Sequence, residues 1–134
     1  MTDTGEASAY DPTAPVGPLR WRTNPRTGLD FVVVLDGPAP LAGCRVRLRY
    51  VPDKLILDRG AFVEYLATLA PPADAAPETL ALALLDEINN EIVPRWVQIA
   101  LSAVTDDAPV ETVILADRQP NWDNPEILNA LPPL

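Results

Sequence analysis

The chain has 134 residues, one cysteine, no histidine and a formal net charge of −9. That length suits a single domain with a sizeable core, and the acidity argues against a broad nucleic-acid or anionic-membrane surface, which needs clustered cations. Without histidine there is no Ser-His-Asp triad and no histidine-built zinc centre, and one cysteine permits no internal disulfide.

The opening residues, Met1-Thr2-Asp3-Thr4-Gly5-Glu6, are acidic and lack a basic start before an apolar run, so no secretory signal is expected. No uncharged apolar run approaches the ~20 residues that span a bilayer. Together with the lone thiol, this predicts a cytoplasmic setting. Residues Met1 to about Leu19 mix Pro, Ala, Gly, Ser, Thr and acids without periodicity and read as a mobile tail, leaving residues 20–134 as one domain.

Trp21 to Leu29 reads as a lead-in, with turn chemistry in Asn24-Pro25-Arg26-Thr27-Gly28. Asp30 to Leu35 is β-branched and aromatic and predicts a strand ended by Asp36-Gly37-Pro38. Cys44 to Val51 alternates, with Cys44, Val46, Leu48 and Tyr50 on one face and Arg45, Arg47 and Arg49 on the other. Pro52 closes that strand.

Phe62, Tyr65, Leu66 and Leu69 recur at helical spacing, predicting a helix over 58–69. A linker, Ala70 to Ala76, leads to a second helix over 77–92, opened by Pro77, stopped by Pro94 and apolar along Ala81, Leu84, Leu85, Ile88 and Ile92. Trp96 to Val104 and Val110 to Ala116 predict two further strands around a hairpin loop, Thr105 to Pro109. The expected order is β-β-α-α-β-β, an α+β fold with a four-stranded antiparallel sheet and both helices on one face. Such a sheet leaves two unpaired edges and a polar face, which predicts an oligomer.

Several side chains are candidates for chemistry. Glu78 offers a carboxylate in a helix's first turn, where paired acceptor oxygens suit the donor edge of a planar heterocycle. The same glutamate also complements the helix dipole by ~0.3–1 kcal/mol without any ligand. Arg45, Arg47 and Arg49 concentrate cations on one strand face and suit an anionic ligand, or equally a partner's acids. Trp96 and Trp122 offer rings for stacking, or for packing. Cys44 shares its phase with core residues, although it is the only thiol available as a nucleophile. Lys54, Asp58 and Arg59 read as surface charges.

Arg49-Tyr50-Val51-Pro52-Asp53-Lys54, followed by Pro77-Glu78 at a helix start, resembles the NADPH-dependent 7-cyano-7-deazaguanine reductase (QueF) branch of the tunnelling-fold superfamily. The similarity runs from about Phe31 to Ser102. Tyr50-Val51-Pro52-Asp53 is similar to that family's Tyr-Ile-Pro-Asp, and Val93-Pro94-Arg95-Trp96-Val97-Gln98 to its Asp-Pro-Arg-Tyr-Ile-Glu. Pro77-Glu78 keeps the carboxylate of its His-Glu and loses the imidazole. The family's NADPH-associated Glu-Ser-Lys-Ser-Leu-Lys-Leu-Tyr falls on Asp58 to Tyr65, which keeps the tyrosine and, in Asp58, a shortened first carboxylate.

The family's nucleophile lies in Cys-Pro-x-Thr-Gly, with an aspartate shortly after. In one register Asn24-Pro25-Arg26-Thr27-Gly28 copies this motif with asparagine in place of cysteine, and Asp30 copies the aspartate. In the other, which keeps the spacing to Val51-Pro52-Asp53, a shortened loop from Pro38 to Gly43 replaces the motif. Both leave no thiol at the reacting position, and an asparagine cannot supply a thiolate's electron pair.

The resemblance implies subunits joined edge to edge into a barrel with the arginine face lining its tunnel. It implies that Glu78 binds a purine, pterin or 7-deazaguanine at a subunit interface, without nitrile reductase chemistry, cofactor or metal. Two other readings stand beside it. One is an active NADPH-dependent nitrile reductase of queuosine biosynthesis, or a metal-free lyase, with Cys44 as displaced nucleophile. The other is a non-catalytic partner of a tunnelling-fold paralogue.

Overall fold

The computed structural model describes residues 19–41, 43–72, 74–106 and 108–134. In chain order the elements are β1 (Trp21–Thr23), β2 (Val33–Pro38), β3 (Cys44–Val51), β4 (Leu55–Leu57), α1 (Arg59–Thr68), α2 (Pro77–Ile92), β5 (Trp96–Thr105), β6 (Ala108–Arg118) and α3 (Pro125–Asn129). Four strands form one antiparallel sheet in the order β2-β3-β5-β6, and β1 pairs with β4 in a separate two-stranded sheet. No helix among the described residues is long and apolar enough to cross a membrane.

The alternation of β3 sets the layers. Val46, Leu48 and Tyr50 face a core completed by Val97, Ile99 and Leu101 of β5, and α1 and α2 close it with Phe62, Leu66, Leu84 and Ile88. The Tyr50 hydroxyl is buried there and accepts a hydrogen bond from the Leu57 amide at 2.9 Å, pinning β4 to the end of β3. Burial pushes the Tyr50 phenol up to about 12, although that hydrogen bond works in the other direction.

Both long helices have visible local causes. Asp58 caps α1 by accepting from the amides of Gly60 and Ala61. Proline opens α2, and Val93 ends it in a left-handed conformation (φ 45°), which is uncomfortable for a β-branched residue.

Several expectations need correction. Asp36-Gly37-Pro38 does not end the first long strand but lies within it, because β2 runs from Val33 to Pro38 and Asp30 precedes it. Gly37 belongs there for a steric reason: a Cβ at this position would lie 2.8 Å from Leu66 of α1. The lead-in contains the strand β1, whose three residues pair with an equally unexpected β4. The last two strands run longer than expected, and a short α3 follows them. The expected tail lies outside the described residues except for its final residue, and Leu19 is fully buried in the core.

On the side away from the helices, the sheet presents transverse rows fixed by register. Asp36, Arg47, Ala100 and Ile114 form one row, and Pro38, Arg45, Ser102 and Thr112 form the next. Val34, Arg49, Gln98 and Ala116 form a third. At the β2–β3 connection, the Val104 amide donates to the Gly43 carbonyl at 2.6 Å, and Gly43 takes a φ of 73°.

Candidate functional site

Glu78 projects from the first turn of α2 and is exposed. Among the described residues its carboxylate has no hydrogen-bond or ion-pair partner. It therefore stands available to a donor edge brought from outside the chain, such as the N–H and amino groups of a planar ring.

The acids elsewhere in the resembling motifs are engaged. Arg95 donates from Nη1 to Asp30 Oδ1 at 2.8 Å and from Nη2 to the Thr27 carbonyl at 2.6 Å and Asp53 Oδ1 at 3.2 Å. The second oxygen of Asp30 accepts from Trp122 Nε1 and Asn124 Nδ2, both at 3.0 Å, and that of Asp53 accepts from Gln119 Nε2 at 3.1 Å. Asn24 donates to the Asp53 carbonyl at 2.7 Å and accepts from the Arg26 amide at 2.9 Å. The Tyr-Val-Pro-Asp corner, the Val-Pro-Arg segment and the Asn24–Asp30 segment thus meet in one polar hub, tied to the chain after β6.

The chemistry of the hub is anionic. Burial on its own would raise the Asp30 carboxyl, but the hydrogen bonds from Asn124, Trp122 and Arg95, with the Arg95 charge, outweigh it and hold Asp30 below the ordinary carboxylate value. A general acid at neutral pH needs the opposite shift. Asn24 is only 4% exposed and both ends of its amide are engaged, so the copied motif serves here as a structural turn.

Cys44 sits at the start of β3, partly buried against the core, and burial together with the nearby Glu111 charge pushes its thiol pKa up. A raised pKa reduces the thiolate fraction that nucleophilic attack requires. In the alternative register the loop before it is tight: the Ala39 amide donates to the Cys44 carbonyl and the Cys44 amide to the Leu41 carbonyl, each at 3.0 Å. Asp58, the remnant of the cofactor motif, has one carboxylate oxygen committed to capping α1.

The three arginines of β3 differ in state. Arg45 is exposed. Arg47 makes a bidentate pair with Asp36, at 2.7 and 3.1 Å. Arg49 is 6% exposed and donates to Gln98 Oε1 at 2.8 Å and to the Pro132 carbonyl at 2.6 Å. A cleft of about 620 Å³ opens on this face, lined by Asp36, Arg45, Arg47, Ser102, Thr112 and Leu134 among others. Trp96 shares the face but is also 6% exposed, leaving little of the indole for a ligand to stack on. Backbone and side-chain bonds from Gln119 to Arg95 and from Arg118 to Trp122 return the chain beside it.

Sequence reasoning brought Asp30, Asp53 and Arg95 forward separately, through motifs, but not as a cluster. Gln119 and Asn124 it missed as functional partners. The composition of Asn121-Trp122-Asp123-Asn124-Pro125 was the one available signal.

No protein-family model matches the chain. Over an alignment of 130 residues, it is 27% identical to the NADPH-dependent 7-cyano-7-deazaguanine reductases of two strains of Acidithiobacillus ferrooxidans, covering 90% of this chain and 92% of each relative. Among solved structures, the archaeosine synthase QueF-Like in its apo form matches with a TM-score of 0.46 at 16% identity, covering 66% of this chain and 90% of that one. The chain resembles the QueF branch along nearly all of its length.

Proposed function

We propose that this chain is a QueF-like tunnelling-fold protein of the cytoplasm. It holds a planar purine, pterin or 7-deazaguanine ring through Glu78 at a seam between copies, without nitrile reduction. The observation that carries this reading is the exposed, unengaged carboxylate of Glu78, in contrast to Asp30 and Asp53, which are committed to the hub, and Asp58, which caps α1. The outer edges of β2 and β6, unpaired among the described residues, and exposed Val34, Val110 and Ile114 support edge-to-edge assembly. Calorimetric titration with guanine, 7-deazaguanine and pterin tests the ligand. A saturable heat that vanishes in Glu78→Ala is expected. No heat with any of the three, or the same heat in the variant, ends this reading.

The similarity over 90% of the chain to reductases favours a second reading, NADPH-dependent reduction of 7-cyano-7-deazaguanine. It requires Cys44 as nucleophile. A fall in NADPH absorbance with the nitrile substrate, abolished by Cys44→Ala, would put this reading in place of the first.

A further inference from the structure

We propose that the open face of the four-stranded sheet is a second binding site, where Arg45 and Arg47, backed by the buried charge of Arg49, hold a small phosphate-bearing anion. The first observation is the state of Arg49. It is a cation with 6% of its surface exposed, yet both of its hydrogen-bond acceptors among the described residues, Gln98 Oε1 and the Pro132 carbonyl, are neutral. Buried charges ordinarily meet a counter-charge, and a guanidinium carries five donors, of which two are used here.

The second observation is a cleft further along the same strand face, lined by Arg47 and Arg45 but not by Arg49 itself. Arg47 lies two residues along the strand on the same face, roughly 7 Å away by strand geometry. Arg45 follows at the same interval. Across the strands Ala100 provides a small floor beside Arg47, while Ser102 and Thr112 stand next to Arg45 with their hydroxyls 3.1 Å apart. These residues line the cleft of about 620 Å³, a size that suits a small molecule.

Charge selects the ligand. Among the described side chains of these rows, three guanidinium groups face one carboxylate, Asp36, so the rows carry net positive charge. Asp86, Glu87 and Glu91 belong to α2, on the far side of the sheet. Planar guanidinium forks and hydroxyl donors match the several oxygens of a phosphate. A phosphate held there by Arg45 and Arg47 brings negative charge within one strand repeat, roughly 7 Å, of Arg49 and supplies its missing counter-charge. This site is separate from Glu78, which sits on the helix layer and takes a ligand by its donor edge.

Thermal unfolding of the full chain in increasing inorganic phosphate, with sodium chloride at matched ionic strength, tests the proposal. A saturable rise in Tm that chloride does not reproduce is expected. Arg45→Ala, at an exposed position, weakens the apparent phosphate affinity about tenfold, the scale of one charged hydrogen bond. Arg49→Met, which removes the neighbouring buried charge, also weakens it, and Glu78→Ala leaves it intact. The proposal is overturned if phosphate acts no differently from chloride, or if Arg45→Ala or Arg49→Met responds to it as the parent does.

Discussion

On the helix side of the sheet, Leu48, Tyr50, Ile99 and Leu101 are sealed by α1 and α2, and few polar atoms need partners. On the other side, Arg45, Arg47 and Arg49 share the surface with Asp36, Gln98, Ser102 and Thr112, and the chain after β6 bends back to meet them. Order on the first side comes from burying apolar area. On the second, and in the hub at its end, it comes from matching donors to acceptors at fixed positions. The apolar packing on the helix side therefore responds little to pH and screening, while the hub and the arginine face respond to both.

The largest effect should come from the helix side. Phe62→Ala empties a fully buried position and should cost about 3–5 kcal/mol in urea unfolding. The loss should be the same at pH 5 and pH 7. A small loss would mean that the helix layer is loosely packed and that the contrast between faces is overdrawn.

Next comes the hub. Arg95→Met leaves Asp30 and Asp53, both largely covered, facing one another without their cation, and about 3 kcal/mol should be lost. High salt should recover part of that loss by screening the two carboxylates, whereas it should not rescue Phe62→Ala.

The pH response sharpens the contrast further. The carboxyl of Asp30 has a lower pKa in the folded protein than in the unfolded chain, so the unfolded state binds its proton more readily. Its stabilisation is therefore complete well above the ordinary aspartate value and disappears as pH falls through the lower, folded one. Thermal melts from pH 7 to pH 3 should show a steeper acid decline for the parent than for Asp30→Asn. Parallel declines would remove Asp30 from the account of acid sensitivity.

The smallest structural effect is expected at Glu78. Glu78→Ala should change stability by no more than ~1 kcal/mol, the worth of a carboxylate near a helix N-terminus, although the proposed heterocycle binding should be lost. A larger destabilisation would show that the side chain has a structural partner.

Much of this architecture was legible because it is periodic. Residues 77–92 carry a proline start, an apolar stripe and a proline stop, and α2 has those bounds. The alternation of β3 likewise assigned Val46, Leu48 and Tyr50 to the core. Asp36-Gly37-Pro38 misled because local turn chemistry competes with a tertiary demand, the space that Leu66 takes above Gly37. β1 and β4, at three residues each, are too short for periodicity to register. The hub could not be assembled from one sequence, since the bonds that join its segments span 29 to 94 positions, from Asn24 with Asp53 to Asp30 with Asn124. The state of Arg49 was hidden for the same reason, because Pro132 is 83 positions away.

The order β2-β3-β5-β6 also bears on how the chain reaches this structure. The hairpins β2–β3 and β5–β6 each join neighbours in sequence and can close locally. The central ladder between β3 and β5 pairs residues separated by both helices, from Val51 with Trp96 to Cys44 with Ala103. Zipping cannot proceed from one end to the other, and the two halves must dock after the intervening segment has compacted. The speed of folding should be set by that encounter, so that changes on β3 or β5 slow it while changes on β6's outer edge leave it untouched.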